Sequence, residues 1–87
     1  MVKRKFREFQ GVVLEEDISE GGPRKGTFGI VLDLLSDNGL AVEFFDESGA
    51  TIEVLLIFDS QVRPATVKEE RSALAAQESF PISVENV

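Results

Sequence analysis

Eighty-seven residues without a cysteine or a histidine leave no thiolate to serve as nucleophile or zinc ligand and no imidazole general base. That length makes one small domain, which hides only roughly 60% of its unfolded surface. A formal charge of −7 opposes contact with phosphate backbones.

The charge is unevenly placed. Residues 1–9 hold Lys3, Arg4, Lys5 and Arg7 against Glu8 alone, whereas from Gln10 to Pro64 only Arg24, Lys25 and Arg63 face eleven carboxylates. The leader reads as a solubilising terminus with its first residues disordered. Phe6 and Phe9 either make a short helical turn or fold two rings over an open barrel end. No apolar run reaches the ~20 residues that cross a bilayer. The leader's charges are followed by no apolar stretch of the secretory kind, so the reading is of a cytosolic protein.

Gln10–Glu16 (QGVVLEE) is a first strand, rich in β-branched residues. Asp17–Lys25 follows as a long loop of turn formers, pinned by the one apolar residue in it, Ile18. Gly26–Ser36 is the second strand. Its glycines, Gly26 and Gly29, suggest a bulge or a barrel corner, and its alternation assigns Ile30, Leu32 and Leu34 to the core and Val31, Asp33 and Leu35 to the other face. Asp37-Asn38-Gly39 is a hairpin signal, Asn-Gly supplying the positive φ angles of a type I′ turn.

Leu40–Asp46 is the third strand, with Leu40, Val42 and Phe44 on the core face. Glu47-Ser48-Gly49 makes a second tight turn. In the fourth strand, Ala50–Phe58, Ile52, Val54 and Leu56 are placed inward and Thr51, Glu53 and Leu55 outward. The alternation is then lost in the apolar run Leu55–Phe58, which needs cover on both faces. Asp59-Ser60-Gln61 allows one helical turn. Val62-Arg63-Pro64 is a short closing strand ended by proline. Thr66–Glu78 has helix propensity, with Thr66 or Ser72 as cap and a weak apolar stripe. Phe80–Val87 reads as a tail, disordered or added to a sheet edge.

Five short strands, one long first loop and two tight hairpins predict an all-β fold: a small five-stranded SH3-like barrel over residues 10–64. A basic leader (1–9) precedes it, and a helical or disordered extension (65–87) follows. An OB-fold would need longer strands and a helix where Glu47–Gly49 leaves room only for a turn. The motifs Lys25-Gly26-x-x-Gly29-x-Val31, Val42-Glu43-Phe44-x-Asp46-x-x-Gly49 and Val62-Arg63-Pro64, preceded by Val12-Val13-Leu14-x-x-Asp17-Ile18, resemble a family of small bacterial proteins known as a domain of unknown function. The resemblance runs from Val12 to Pro64, departing at Phe28 and in Leu55–Phe58. It implies an SH3-like barrel and, from the pairing of such genes with another short gene, a two-protein unit. It carries over no catalytic residue.

Asp17, Glu20, Asp46 and Glu47, together with Glu16, make an acidic set around the first loop and second turn, suited to a basic partner or simply solvated. Phe28, Phe45, Leu55 and Ile57 make a candidate apolar patch, to be covered by a partner or by the chain's own ends. Gly21–Gly26 precedes a strand and not a helix, so it is no phosphate loop. Asp33, Asp37 and Asp46 lack calcium-loop spacing. No catalytic residue, metal or cofactor is expected. The reading is a non-enzymatic protein-interaction module, the accessory or antitoxin-like part of a two-protein unit, binding a basic protein or a second copy and neither membrane nor nucleic acid. The alternatives are a nucleic-acid-binding barrel, which would need a basic face, and a structural subunit of a larger enzyme complex.

Overall fold

The computed structural model describes residues 4–18 and 20–78. Five antiparallel strands form one sheet: β1 (Gly11–Leu14), β2 (Phe28–Leu34), β3 (Gly39–Phe45), β4 (Thr51–Phe58) and β5 (Val62–Pro64). A single 3-10 turn, Asp59–Gln61, separates β4 from β5, and one helix, α1 (Val67–Glu78), follows. The order across the sheet is β4-β3-β2-β1-β5. The first four strands meander, and β5 returns to the outer side of β1, with Val12 opposite Pro64 and Leu14 opposite Val62. Among the described residues no ladder joins β4 to β5, so the sheet is open.

One face of the sheet carries the core. Val12, Leu14, Val31, Leu40, Val42, Phe44, Ile57 and Val62 are buried together, with Ile18, Leu34 and Leu55 packed against them. Leu40, Val42 and Phe44 alternate inward along β3 as their spacing requires. Ile18 pins the first loop as expected.

On β2 and β4 the inward rows differ from the expected ones, for one reason in both cases. Between Val31 and Asp33 the β2–β3 register shifts, Val31 facing Val42 while Asp33 faces Ala41. Leu32 is therefore an extra residue that reverses the side-chain parity. Leu34 stays inward beyond the bulge, but upstream of it Val31 and Gly29 are inward, and Ile30 is not. The β3–β4 register shifts likewise, Phe45 facing Thr51 and Phe44 facing Glu53. This makes Ile52 the extra residue and turns Leu55 and Ile57 inward in place of Val54 and Leu56. Gly29 itself is no bulge. It lets β3 approach: a Cβ there would lie 2.6 Å from Val42 Cγ1 and 3.0 Å from the Glu43 carbonyl oxygen.

The hairpin between β2 and β3 sits one residue earlier than Asn-Gly suggests. Asp37 (φ 59°) and Asn38 (φ 63°) take the two left-handed positions, and Gly39 already belongs to β3. In the second turn Gly49 (φ 93°) supplies the positive φ. Its backbone is buried against α1, where an added Cβ would lie 2.9 Å from the Gln77 amide nitrogen.

The leader is not merely solubilising. Phe6 is buried in the core, and the Arg4 guanidinium donates to the Leu35 carbonyl at 2.8 Å and the Gly39 carbonyl at 3.2 Å, tying the chain's start to the first hairpin. Phe9 does not share this burial. It takes φ 67° and is exposed, while its amide donates to the Val31 carbonyl. The expected disorder at the first residues and the tail at Phe80–Val87 lie outside the described residues.

Candidate functional site: an apolar strand row and a helix-walled groove

The register assembles the second face of the sheet residue by residue. Val13 faces Phe28, Ile30 faces Glu43, and across the β3–β4 ladder Glu43 faces Val54, Ala41 faces Leu56 and Gly39 faces Phe58. Side chains opposite one another in a ladder share a face. Val13, Phe28 and Ile30 therefore lie on the same side as Val54, Leu56 and Phe58.

Helix α1 covers only part of this side. Thr66 caps it: its hydroxyl accepts from the Glu69 amide at 3.1 Å, while the Glu69 carboxylate accepts from the Thr66 amide at 2.8 Å, a reciprocal capping box. The same carboxylate takes both guanidinium nitrogens of Arg63, at 2.7 and 2.9 Å, which fixes the helix to the end of β5. The Arg63 hydrogen bonds and the Thr66 amide hold the Glu69 carboxyl down at about 2. From there α1 passes Gly11, where an added Cβ would meet the Glu70 carboxylate, and reaches the Gly49 turn. Val67 and Leu74, the apolar stripe read from the sequence, stay exposed, and the half-buried positions of the helix that line the groove include Ala73 and Ala76 instead.

Between α1, the first loop and the second turn lies a groove of about 960 Å³. Its apolar lining includes Phe28 and Phe45, whose rings stand 6.3 Å apart at 37°, together with Val13, Ile52 and Ala73. Its rim carries both signs of charge: Asp46, Glu47 and Glu69 with Arg24, Lys25 and Lys68.

The residues singled out from the sequence separate into three groups. Phe28, Phe45, Asp46 and Glu47 do come together in this groove. Asp17 is occupied in its own loop, Oδ1 accepting from the Lys25 amide at 2.8 Å, and Glu20 is exposed beside it, away from the groove lining. Asp46 is also a loop fastener. Its Oδ1 accepts from the Ser48 hydroxyl and from the Ser48 and Ala50 amides, which hold its carboxyl below the usual range. Leu55 and Ile57 do not belong to an exposed patch. They face the core, Ile57 only 5% exposed.

Their neighbours take that place. Ile52, Val54, Leu56 and Phe58 are 42, 51, 73 and 61% exposed, an uncharged row on an edge strand. The sequence signal for Leu56 and Phe58 was the apolar run itself; that they face out, and Leu55 and Ile57 in, is decided by the Ile52 bulge. Among the described residues no group of acidic side chains converges as a metal site, and no helix is long and apolar enough to cross a membrane.

No curated protein and no solved structure matches the chain. Residues 8–64, the stretch that contains all five strands, match the family described as "Domain of unknown function (DUF4926)", with α1 beyond the matched region. The family match thus covers the whole five-stranded sheet, and the chain belongs to this family.

Proposed function

We propose that this chain is a non-enzymatic protein-interaction module, working in the bacterial cytoplasm as the accessory or antitoxin-like part of a two-protein unit. One observation carries the reading: four consecutive alternate residues of β4, Ile52, Val54, Leu56 and Phe58, are apolar and exposed on a sheet edge. Monomers seldom leave such a row uncovered, and contiguous apolar patches mark sites of association. The strand order supports taking the sheet as a partly opened SH3-like barrel, since its two outermost strands, β4 and β5, are joined by a single 3-10 turn. The acidic body favours a basic partner through long-range attraction, which acts on encounter rate and selectivity more than on final affinity.

The test is a pull-down with tagged chain from its own host, followed by light scattering of what elutes. A single protein or a second copy at fixed stoichiometry supports the reading. An inert monomer, or tight binding to DNA or RNA at physiological salt, overturns it.

A further inference from the structure

We infer that the chain's own residues 80–84 lie over the outward row of β4 and close it until a partner displaces them; this rests on the interaction-module reading and supplies its regulation. The place where the chain leaves the described fold selects this occupant. Gly11 lies opposite Ile30 in the ladder, and the Glu70 carboxylate of α1 stands over Gly11. The helix therefore covers the side of the sheet on which Val54 and Leu56 point outward. Its last turn, at Ala76 and Gln77, packs against Gly49, two residues before β4 begins at Thr51. Ala76 of α1 and Ile52 of β4 line the same groove. The chain thus passes Glu78 at the near end of the apolar row and on the same side of the sheet.

Length and pattern fit as well. Nine residues, 79–87, follow α1, and fully extended they reach roughly 30 Å. From Ile52 to Leu56 the strand rises only about 14 Å. Phe80, Ile82 and Val84 alternate with Pro81, Ser83 and Glu85, so one side of an extended segment is wholly apolar, and its period of two is that of the row. Running from α1 in the direction of β4, it sets Phe80 over Ile52, Ile82 over Val54 and Val84 over Leu56. Phe58 stays clear at the far end. Contact is made by side chains across the face and not through the ladder, so the missing N–H of Pro81 takes no hydrogen bond away.

Charge favours the same occupant. A second copy, like any acidic protein, is repelled by the net charge of −7, whereas residues 79–84 carry no charge and neither do Ile52, Val54, Leu56 and Phe58. The tether adds to this, because a segment on a short linker acts as if present at roughly millimolar concentration. Three side chains without backbone pairing still make a weak cover. A partner that fills the whole row, Phe58 included, and brings further surface of its own displaces it.

The chain has no cysteine, so Ser83→Cys takes a single nitroxide label, and methyl resonances report what lies near it. The expected result is line broadening at Val54 and Leu56 that exceeds the broadening at Val13 in the groove or at Val67 at the start of α1, and that is unchanged on dilution. Ile82→Asp in the labelled chain lowers the covered population about tenfold or more, the effect of wetting one large aliphatic side chain, and the broadening falls with it. Val67→Asp, at an exposed position of α1, leaves it unchanged; circular dichroism verifies that each variant keeps the fold. Broadening centred on Val13, or at no methyl of β4, overturns the inference. So does broadening that fades on dilution, which would place the segment on another molecule. The pull-down separates the two readings. If both hold, Ile82→Asp captures its partner up to about tenfold more tightly than the parent, since more of the chain is open to it; equal capture overturns the displacement. A labelled segment on the row with nothing captured by either chain leaves the cover standing and overturns the module reading. No contact at β4, with capture that Leu56→Asp abolishes, leaves the module reading standing and overturns the cover.

Discussion

The Phe44 ring occupies the space that a side chain on Gly29 would need: a Cβ at residue 29 would lie 2.8 Å from Phe44 Cδ1. Because Val42 and the Glu43 carbonyl crowd the same point, no single side-chain movement clears it. Gly29→Ala therefore destabilises the fold by about 1–3 kcal/mol, the usual range for overpacking. Urea unfolding monitored by circular dichroism measures it, and an unchanged midpoint would contradict the packing described.

Core and row separate cleanly by mutation. Phe44 is fully buried and Phe58 mostly exposed. Phe44→Ala costs about 3–5 kcal/mol, whereas Phe58→Ala stays within about 0.5 kcal/mol. Thermal melts of the two variants compare them directly.

The first residues belong to the fold. Phe6→Ala removes a buried ring from the core and costs about 3 kcal/mol or more. Arg4→Ala, which strips two backbone carbonyls of a charged donor, costs about 1–2 kcal/mol. Leaving stability unchanged on loss of Phe6 would show the leader to be the dispensable terminus its charges suggest.

The first hairpin offers a gain. Asn38 holds φ 63°, a conformation that glycine adopts without strain. Asn38→Gly raises stability by about 0.5 kcal/mol, in line with the preference of type I′ turns for glycine. Asp37→Val, forcing a β-branched residue to φ near 59°, lowers it by about 1–3 kcal/mol. Opposite signs in paired denaturation curves are the check.

Acid acts on the fastening of α1. Glu69 is held at about 2 in the folded chain against an ordinary 4.5, so its contribution is complete above the ordinary value and is lost as pH falls toward 2. Asp46, lowered by the Ser48 hydroxyl and the Ala50 amide, changes in the same direction. The Arg63–Glu69 pair is part-exposed and screened by water, so it contributes about 0.5–1 kcal/mol. Glu69→Gln is less stable than the parent by that amount near neutral pH, and the gap closes toward pH about 2; a gap that stays constant would dissociate it from the ion pair.

The strands, the one-turn break after Phe58 and the capped helix were legible because each has a local cause: β-branched runs, turn formers at fixed offsets, a threonine three residues before a glutamate. The inward row of β3 was legible too, since no bulge interrupts the stretch from Leu40 to Phe44. The inward rows of β2 and β4 were not. Leu32 and Ile52 are chemically indistinguishable from their neighbours, so nothing in the letters announces that the count of two has slipped by one. The exposed row was hidden by the same slip, because in Leu55–Phe58 either parity places apolar side chains inside. The groove's floor was partly foreseen through Phe28 and Phe45. Its far wall comes from α1, whose position depends on the non-local contact between Gly49 and Gln77.

The contrast between an eight-residue edge and a three-residue edge closed by Pro64 has a consequence for growth. A sheet with two adhesive borders can extend without end into a fibre. Here β5 is three residues long and closed by Pro64, so a strand added to β4 finds no matching border on the far side from which to continue. A sheet of this kind can be lengthened on one side and no further, which limits what its long unguarded edge can build.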